Sequence, residues 1–77
     1  MLQTLKQYIF DELVFIDEPD RFGDDDDLLA AGLDSMGIMR LVLFIEKQFG
    51  VTLPDNEIAP ENLQTLSAIQ SWIQRHQ

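Results

Sequence analysis

The chain has no cysteine, so it can form no disulfide, no thiolate metal site and no thiol nucleophile of its own. Any thiol chemistry must arrive on a cofactor. Its single histidine, His76, stands next to the end of the chain, where fraying is usual, so it reads as a solvated terminal residue and a Ser-His-Asp hydrolase is excluded. Basic residues are scarce: 5 Lys and Arg face 14 Asp and Glu, for a net charge of -9. Such a field repels nucleic acid and anionic membrane surfaces, so neither is expected as a partner, and it speeds encounter with basic proteins. No apolar run approaches the roughly 18 residues that span a bilayer. The start, Met1-Leu2-Gln3-Thr4-Leu5-Lys6, lacks the basic and apolar regions of a signal peptide, which makes the cytoplasm the expected location.

What is present is globular. Apolar residues make up 45% of the 77 and charged residues 25%, so the acidity does not imply disorder, and the length predicts one small domain over residues 1–77, expected to be a monomer. The charge is uneven. Residues 1–34 hold ten acids against Lys6 and Arg21, whereas residues 35–77 hold four acids against Arg40, Lys47 and Arg75.

Leu2, Leu5, Ile9, Leu13 and Ile16 recur at helical spacing and predict an amphipathic first helix over 2–16, ended by Glu18-Pro19. From Asp17 to Asp34 the chain carries Pro19, Gly23, Gly32 and the run Asp24 to Asp27, a long connection that Leu28, Leu29 and Leu33 should pin down. A second helix is predicted over 35–49, with Asp34 or Ser35 as its cap and Gly50 as its stop. Val51-Thr52-Leu53-Pro54 reads as a short extended link. Pro60 suits the first turn of a minor helix, and Thr65 caps a last helix whose apolar side is Leu66, Ile69, Trp72 and Ile73. The expected fold is therefore all-α: three main helices plus one short helix, with a long acidic loop between the first two. The four aspartates do not make a calcium loop, because counting from Asp24 puts Leu29 where glycine is needed and Ser35 where a bidentate glutamate is needed. No metal ligand set is assigned.

Ser35 places a hydroxyl at a helix start, where unpaired N–H groups and the positive end of the dipole favour a phosphate. The motif Gly32-Leu33-Asp34-Ser35-Met36, followed by Phe49-Gly50-Val51-Thr52-Leu53-Pro54, resembles the acyl carrier protein family, the phosphopantetheine-binding carrier domains, including its aminoacyl and peptidyl branches. The likeness runs from about Leu28 to Ile73; the first helix fits by position only. It implies that Ser35, flanked by Asp34, carries 4'-phosphopantetheine from coenzyme A, whose thiol holds a cargo as a thioester. It further implies a carrier rather than an enzyme, with no catalytic residue of its own. The partners it implies are a phosphopantetheinyl transferase, an adenylating ligase or acyltransferase, and downstream condensing or tailoring enzymes.

The second helix has two apolar faces. At about 100° per residue, Ile38, Leu41, Val42, Ile45 and Phe49 form a core stripe, while Met36, Met39 and Leu43 fall opposite, beside Arg40 and Lys47. A small bundle buries one face of such a helix, so Met36, Met39, Arg40, Leu43 and Lys47 are the candidate docking surface. Fatty-acid-synthesis carriers typically have acids along this helix. Here Gly37, Arg40 and Lys47 stand instead, which favours aminoacyl or other specialised-metabolite cargo. A fatty acyl carrier and a cofactor-free acidic interaction module are the alternatives.

Overall fold

The computed structural model describes residues 1–77, and it contains helices and turns without a strand. Helix α1 covers Leu2–Tyr8 and continues as a wider π-helical turn over Ile9–Leu13; α2 covers Ser35–Phe49, the short α3 Pro60–Leu63 and α4 Leu66–Arg75. Single 3₁₀ turns at Pro19–Arg21 and Asp55–Glu57 interrupt the connections. The all-α expectation holds, with the acidic segment spanning the gap between α1 and α2.

The end of α1 departs from the predicted 2–16. The Val14 N–H bonds the Ile9 carbonyl, five residues back, at 2.8 Å, and Val14 itself is extended. One extra residue in the turn rotates the chain beyond it, so Val14 is buried at 1% exposure while Leu13 and Ile16 are only half-buried. Phe15 is turned outward.

Helix α2 runs as the sequence predicts. Asp34 is its cap: a carboxylate oxygen accepts the Gly37 N–H at 2.8 Å, while Gly50, at φ 66°, supplies the left-handed stop. Gly37 is buried where Leu33, and beyond it Leu13 of the π turn, pack against α2. A Cβ at Gly37 would stand 3.0 Å from Leu33 Cδ1 and 3.3 Å from Asp34 Oδ1, so a hydrogen side chain lets the buried Leu33 and the capping carboxylate close over the start of α2, while Leu13 Cβ at 4.0 Å would be in ordinary contact. Beyond Gly50, Val51 and Leu53 point inward and the Leu53 N–H bonds Glu46 Oε2 at 2.8 Å, which turns the link back under α2.

One cluster of 15 buried side chains holds these parts together, and Leu66, Ile69, Trp72 and Ile73 of α4 are all fully enclosed in it. From α2 it takes Leu41, Val42 and Ile45, with Ile38 and Phe49 half-buried at its edge. The accessible surface, 4724 Å², is close to the roughly 4,800 Å² expected for a folded chain of this mass. Little surface is left over, which gives weight to the few large apolar side chains that remain outside.

Ile45→Ala should lower stability by about 2 to 5 kcal/mol, as buried large-to-small changes do. Met39→Ala, at a side chain 50% exposed, should leave the thermal midpoint almost unchanged. Thermal melts of the two variants measure the difference directly, and equal losses would dissolve the distinction between the two faces of α2.

Candidate functional site

Ser35 is delivered by a loop that is long but tied down. Leu28 is fully buried, its N–H bonds the Gln64 carbonyl at 2.7 Å, and the Ser67 N–H bonds the Asp24 carbonyl at 3.0 Å. These two bonds fix the acidic segment to the corner between α3 and α4. The aspartates act as turn caps. Asp27 Oδ1 accepts the N–H groups of Leu29 and Ala30 at 2.9 and 3.0 Å, and its Oδ2 accepts Gln64 Nε2–H at 3.0 Å. Asp26 closes the preceding turn through the Gly23 N–H at 2.7 Å, and Asp24 faces Lys6 at 3.4 Å. Their carboxylates are turned to separate partners and do not converge as metal ligands would. The Asp27 carboxyl is held below the ordinary carboxylate range, chiefly by the Ala30 N–H and then by Gln64.

The loop then passes Gly32, whose φ of 121° favours glycine, and buries Leu33. Asp34 is engaged with Gly37, so the Ser35 hydroxyl, on the first residue of α2, stands exposed and uncommitted. Of the two residues the sequence offered as a cap, the one beside the hydroxyl takes the task. The N–H groups of the first turn and the positive end of the α2 dipole lie under that hydroxyl.

Met36, Met39 and Leu43 are 77%, 50% and 63% exposed, and Arg40 and Lys47 are exposed on the same side of α2. Arg40 also has a structural contact: its guanidinium reaches the Glu12 carbonyl at 3.4 Å, close to where α1 ends. The sequence reading missed Phe15. This ring is 80% exposed and shares a groove of about 220 Å³ with Met36, Gly37 and Arg40, immediately beside Asp34. Its signal was legible in part, since Phe15 falls about 120° from the Leu2–Ile16 stripe on a helical wheel. Its juxtaposition with Met36 depends on the turn at Val14.

His76 is not the solvated terminal residue expected from its position. Its Nε2 lies 2.6 Å from Glu57 Oε1, which also accepts the Trp72 indole N–H at 2.8 Å. An ionised carboxylate only accepts, so both rings donate to it. The 3₁₀ turn at Asp55–Glu57 brings that carboxylate to the end of α4, and Asn62 joins in, donating to the Glu57 carbonyl and accepting from Arg75. Donation by Trp72 and then by His76 holds the Glu57 carboxyl below its usual range.

A small helical bundle that presents a free serine hydroxyl on the first turn of its second long helix defines a class of attachment domain. Residues 3–73 match the family described as phosphopantetheine attachment site, and the chain belongs to that family. The group that such domains hold is 4'-phosphopantetheine. The chain is 39% identical over 62 residues to the D-alanyl carrier protein of Streptococcus mutans serotype c, covering 79% of this chain and 76% of that one. It is 41% identical over 46 residues, 60% of this chain, to aminoacyl carrier protein 2 of Bradyrhizobium diazoefficiens; this match spans only 52% of that relative. Among solved structures it is similar to a carrier protein from Agrobacterium tumefaciens crystallised with an engineered Bradyrhizobium japonicum glycine:[carrier protein] ligase and AMP. There the TM-score is 0.84 at 28% identity, over 96% of this chain and 99% of that one. No helix is long and apolar enough to cross a membrane.

The two lowered carboxyls set a pH dependence. A group whose pKa is lower in the folded than in the unfolded state adds stability above its unfolded value, near 4, and loses it as the pH falls through the folded value. Asp27→Asn and Glu57→Gln should therefore melt below the parent at neutral pH, with the gap closing as the pH is taken from about 5 down to about 2. A gap that is constant across this range in thermal melts would show that neither carboxylate stabilises the fold through its charge.

Proposed function

We propose that this chain is a carrier domain whose Ser35 is joined by a phosphodiester to 4'-phosphopantetheine and whose cargo is an aminoacyl group. The observation that carries the reading is the free Ser35 hydroxyl at the head of α2, with Asp34 engaged on Gly37 rather than on its neighbour. The residues present fit the group. A phosphodiester on Ser35 would be held by the positive dipole end of α2 and the N–H groups of Ser35 and Met36, those of Gly37 and Ile38 being engaged by Asp34.

When bound, the arm supplies a thiol on a flexible tether, and with it the thioester chemistry that a chain without cysteine lacks. The protein supplies position and recognition, while bond making and breaking belong to its partner enzymes in the cytoplasm. Tethering raises the concentration of the cargo at a docked active site. Phe15, Met36, Met39 and Leu43 form the apolar part of the docking surface, and Arg40 and Lys47 give it local positive charge. The aminoacyl assignment is supported by relatives named aminoacyl and D-alanyl carrier proteins and by a similar carrier protein crystallised with an amino acid ligase. The first partners are accordingly a phosphopantetheinyl transferase and an adenylating ligase, followed by condensing or tailoring enzymes of specialised metabolism.

Incubation with coenzyme A, magnesium and a broad-specificity transferase should add the mass of one phosphopantetheine, and Ser35→Ala should gain none while still folding, because Asp34 is the cap. An unmodified parent with several competent transferases overturns the carrier reading. Leu43→Asp and Phe15→Ala should each slow loading by about tenfold or more if they are central to docking, with little change in melting temperature. Arg40→Glu with Lys47→Glu should impair an aminoacyl ligase and improve transfer by an enzyme with a basic docking patch, since charge acts on encounter and partner choice. Equal acceptance of the parent by a fatty-acid condensing enzyme would remove the aminoacyl preference.

A further inference from the structure

The largest groove on the molecule, about 330 Å³, lies along the seam between α1 and α2. The helices run antiparallel there: the Arg40 guanidinium meets the Glu12 carbonyl at 3.4 Å, and Tyr8 stacks on Phe44 with ring centroids 3.9 Å apart and planes within 9°. The two rings are the apolar part of the groove, and its rim is polar, with Asp11 and Glu12 on the α1 side and Gln48 on the α2 side. Both acids are exposed, and neither is in an ion pair; the pairs of this chain join Lys6 to Asp24, Arg21 to Glu18 and His76 to Glu57. No Lys or Arg lines the groove.

This lining narrows what can bind. An anion meets two carboxylates, and a purely apolar group strips water from them without giving a partner. A metal ion lacks ligands, since no three acidic or histidine side chains converge anywhere on the chain. A cation on an apolar stem suits both parts of the groove.

We propose that the α1–α2 seam is a second docking surface, and that it receives an arginine of a partner protein, the guanidinium against Asp11 and Glu12 and the stem along the Tyr8 and Phe44 rings. That this protein is an enzyme acting on the carrier rests on the carrier reading; the chemistry of the groove does not. Arginine fits because its planar fork donates to carboxylates and stacks on aromatic rings, while its methylenes cover apolar surface. A lysine ammonium, a compact point charge, matches the carboxylates but not the rings. The occupant is a protein because the groove adjoins the ridge. On α2, Arg40, Phe44 and Gln48 form one row of residues four apart, and Met39, Leu43 and Lys47 form the row beside it. The small groove beside Asp34 also shares Glu12 with the large one. A partner seated on Met39 and Leu43 thus has the seam within reach of a long side chain at its edge. The net charge of -9 draws basic proteins to the chain, and Arg40 and Lys47 turn their cations from the ridge toward the seam.

The test titrates the intact, isotope-labelled chain by two-dimensional NMR at low salt, both with Ser35 free and with the arm attached. Failure of attachment, seen by mass, overturns the carrier reading, while the groove is still read in the free chain. The probes are N-acetyl-arginine methylamide, the corresponding citrulline derivative as its neutral isostere, and the corresponding lysine derivative. The arginine probe should give saturable shifts at Tyr8, Asp11, Glu12, Phe44 and Gln48. It should bind about three- to tenfold more tightly than the citrulline probe, as one or two exposed ion pairs with a ring contact allow, and lysine should fall between them. Asp11→Asn with Glu12→Gln should bring arginine down to the citrulline level and leave the thermal midpoint nearly unchanged. Shifts centred on Asp24 to Asp27, or spread over the acidic surface, overturn the site. Citrulline equal to arginine overturns the charge recognition, and lysine equal to arginine overturns the choice of arginine. Free arginine binding more tightly than the capped probe makes the groove a metabolite site and overturns the docking assignment.

Discussion

The structure depends on holding the long acidic connection in one place, and the burial of Leu28 is the contact that does it. Leu28 is fully enclosed, and its N–H on the Gln64 carbonyl, with the Ser67 N–H on the Asp24 carbonyl, ties the loop to the α3–α4 corner. Without that anchor the chain between Val14 and Asp34 has little to order it, because most of its residues are acidic or exposed. With it, the turns capped by Asp26 and Asp27 can form, Leu33 enters the core, and Asp34 arrives where it can cap α2. Ser35 is thus positioned by contacts remote from it, and its own side chain is left free for chemistry.

Helix α2 divides its residues between two tasks. Leu41, Val42 and Ile45 join the core, and the opposite face carries Met36, Met39 and Leu43 in the open. An exposed apolar stripe of this kind is what the proposed docking role requires, and unbranched methionine repacks easily against different surfaces. The π turn at the end of α1 extends that surface. By burying Val14 it leaves Phe15 beside Met36, so an aromatic ring from one helix joins the ridge of another. π turns recur inside helices near functional sites, and here the residue just beyond the turn shares a groove with Asp34 and Met36, the neighbours of Ser35.

Much of this was legible in the sequence because it is local. The span of α2, the Pro60 and Thr65 starts, the Gly50 stop and the buried stripe of α4 come from caps and from periodicity, which act within a few residues. Leu28 and Leu33 could be named as anchors because apolar residues in an acidic loop have few other roles. The end of α1 was not legible. Leu13 and Ile16 keep helical spacing with Leu5 and Ile9, and nothing in that spacing announces an extra residue in the turn. His76 was misread for a related reason: its neighbours in sequence leave it in solvent, and its partner Glu57 is nineteen residues away.

The sequence alone determined the class of fold, the face that each long helix buries and the serine that stands at the head of α2, because these depend on interactions between residues a turn apart. Tertiary structure decided which of Asp34 and Ser35 caps the helix, that Phe15 stands beside Met36, that Glu57 gathers Trp72 and His76, and that Tyr8 stacks on Phe44. Each of those requires two segments to meet at a set angle and distance, and that geometry is fixed only when the shared core closes around Leu28, Leu41 and Trp72.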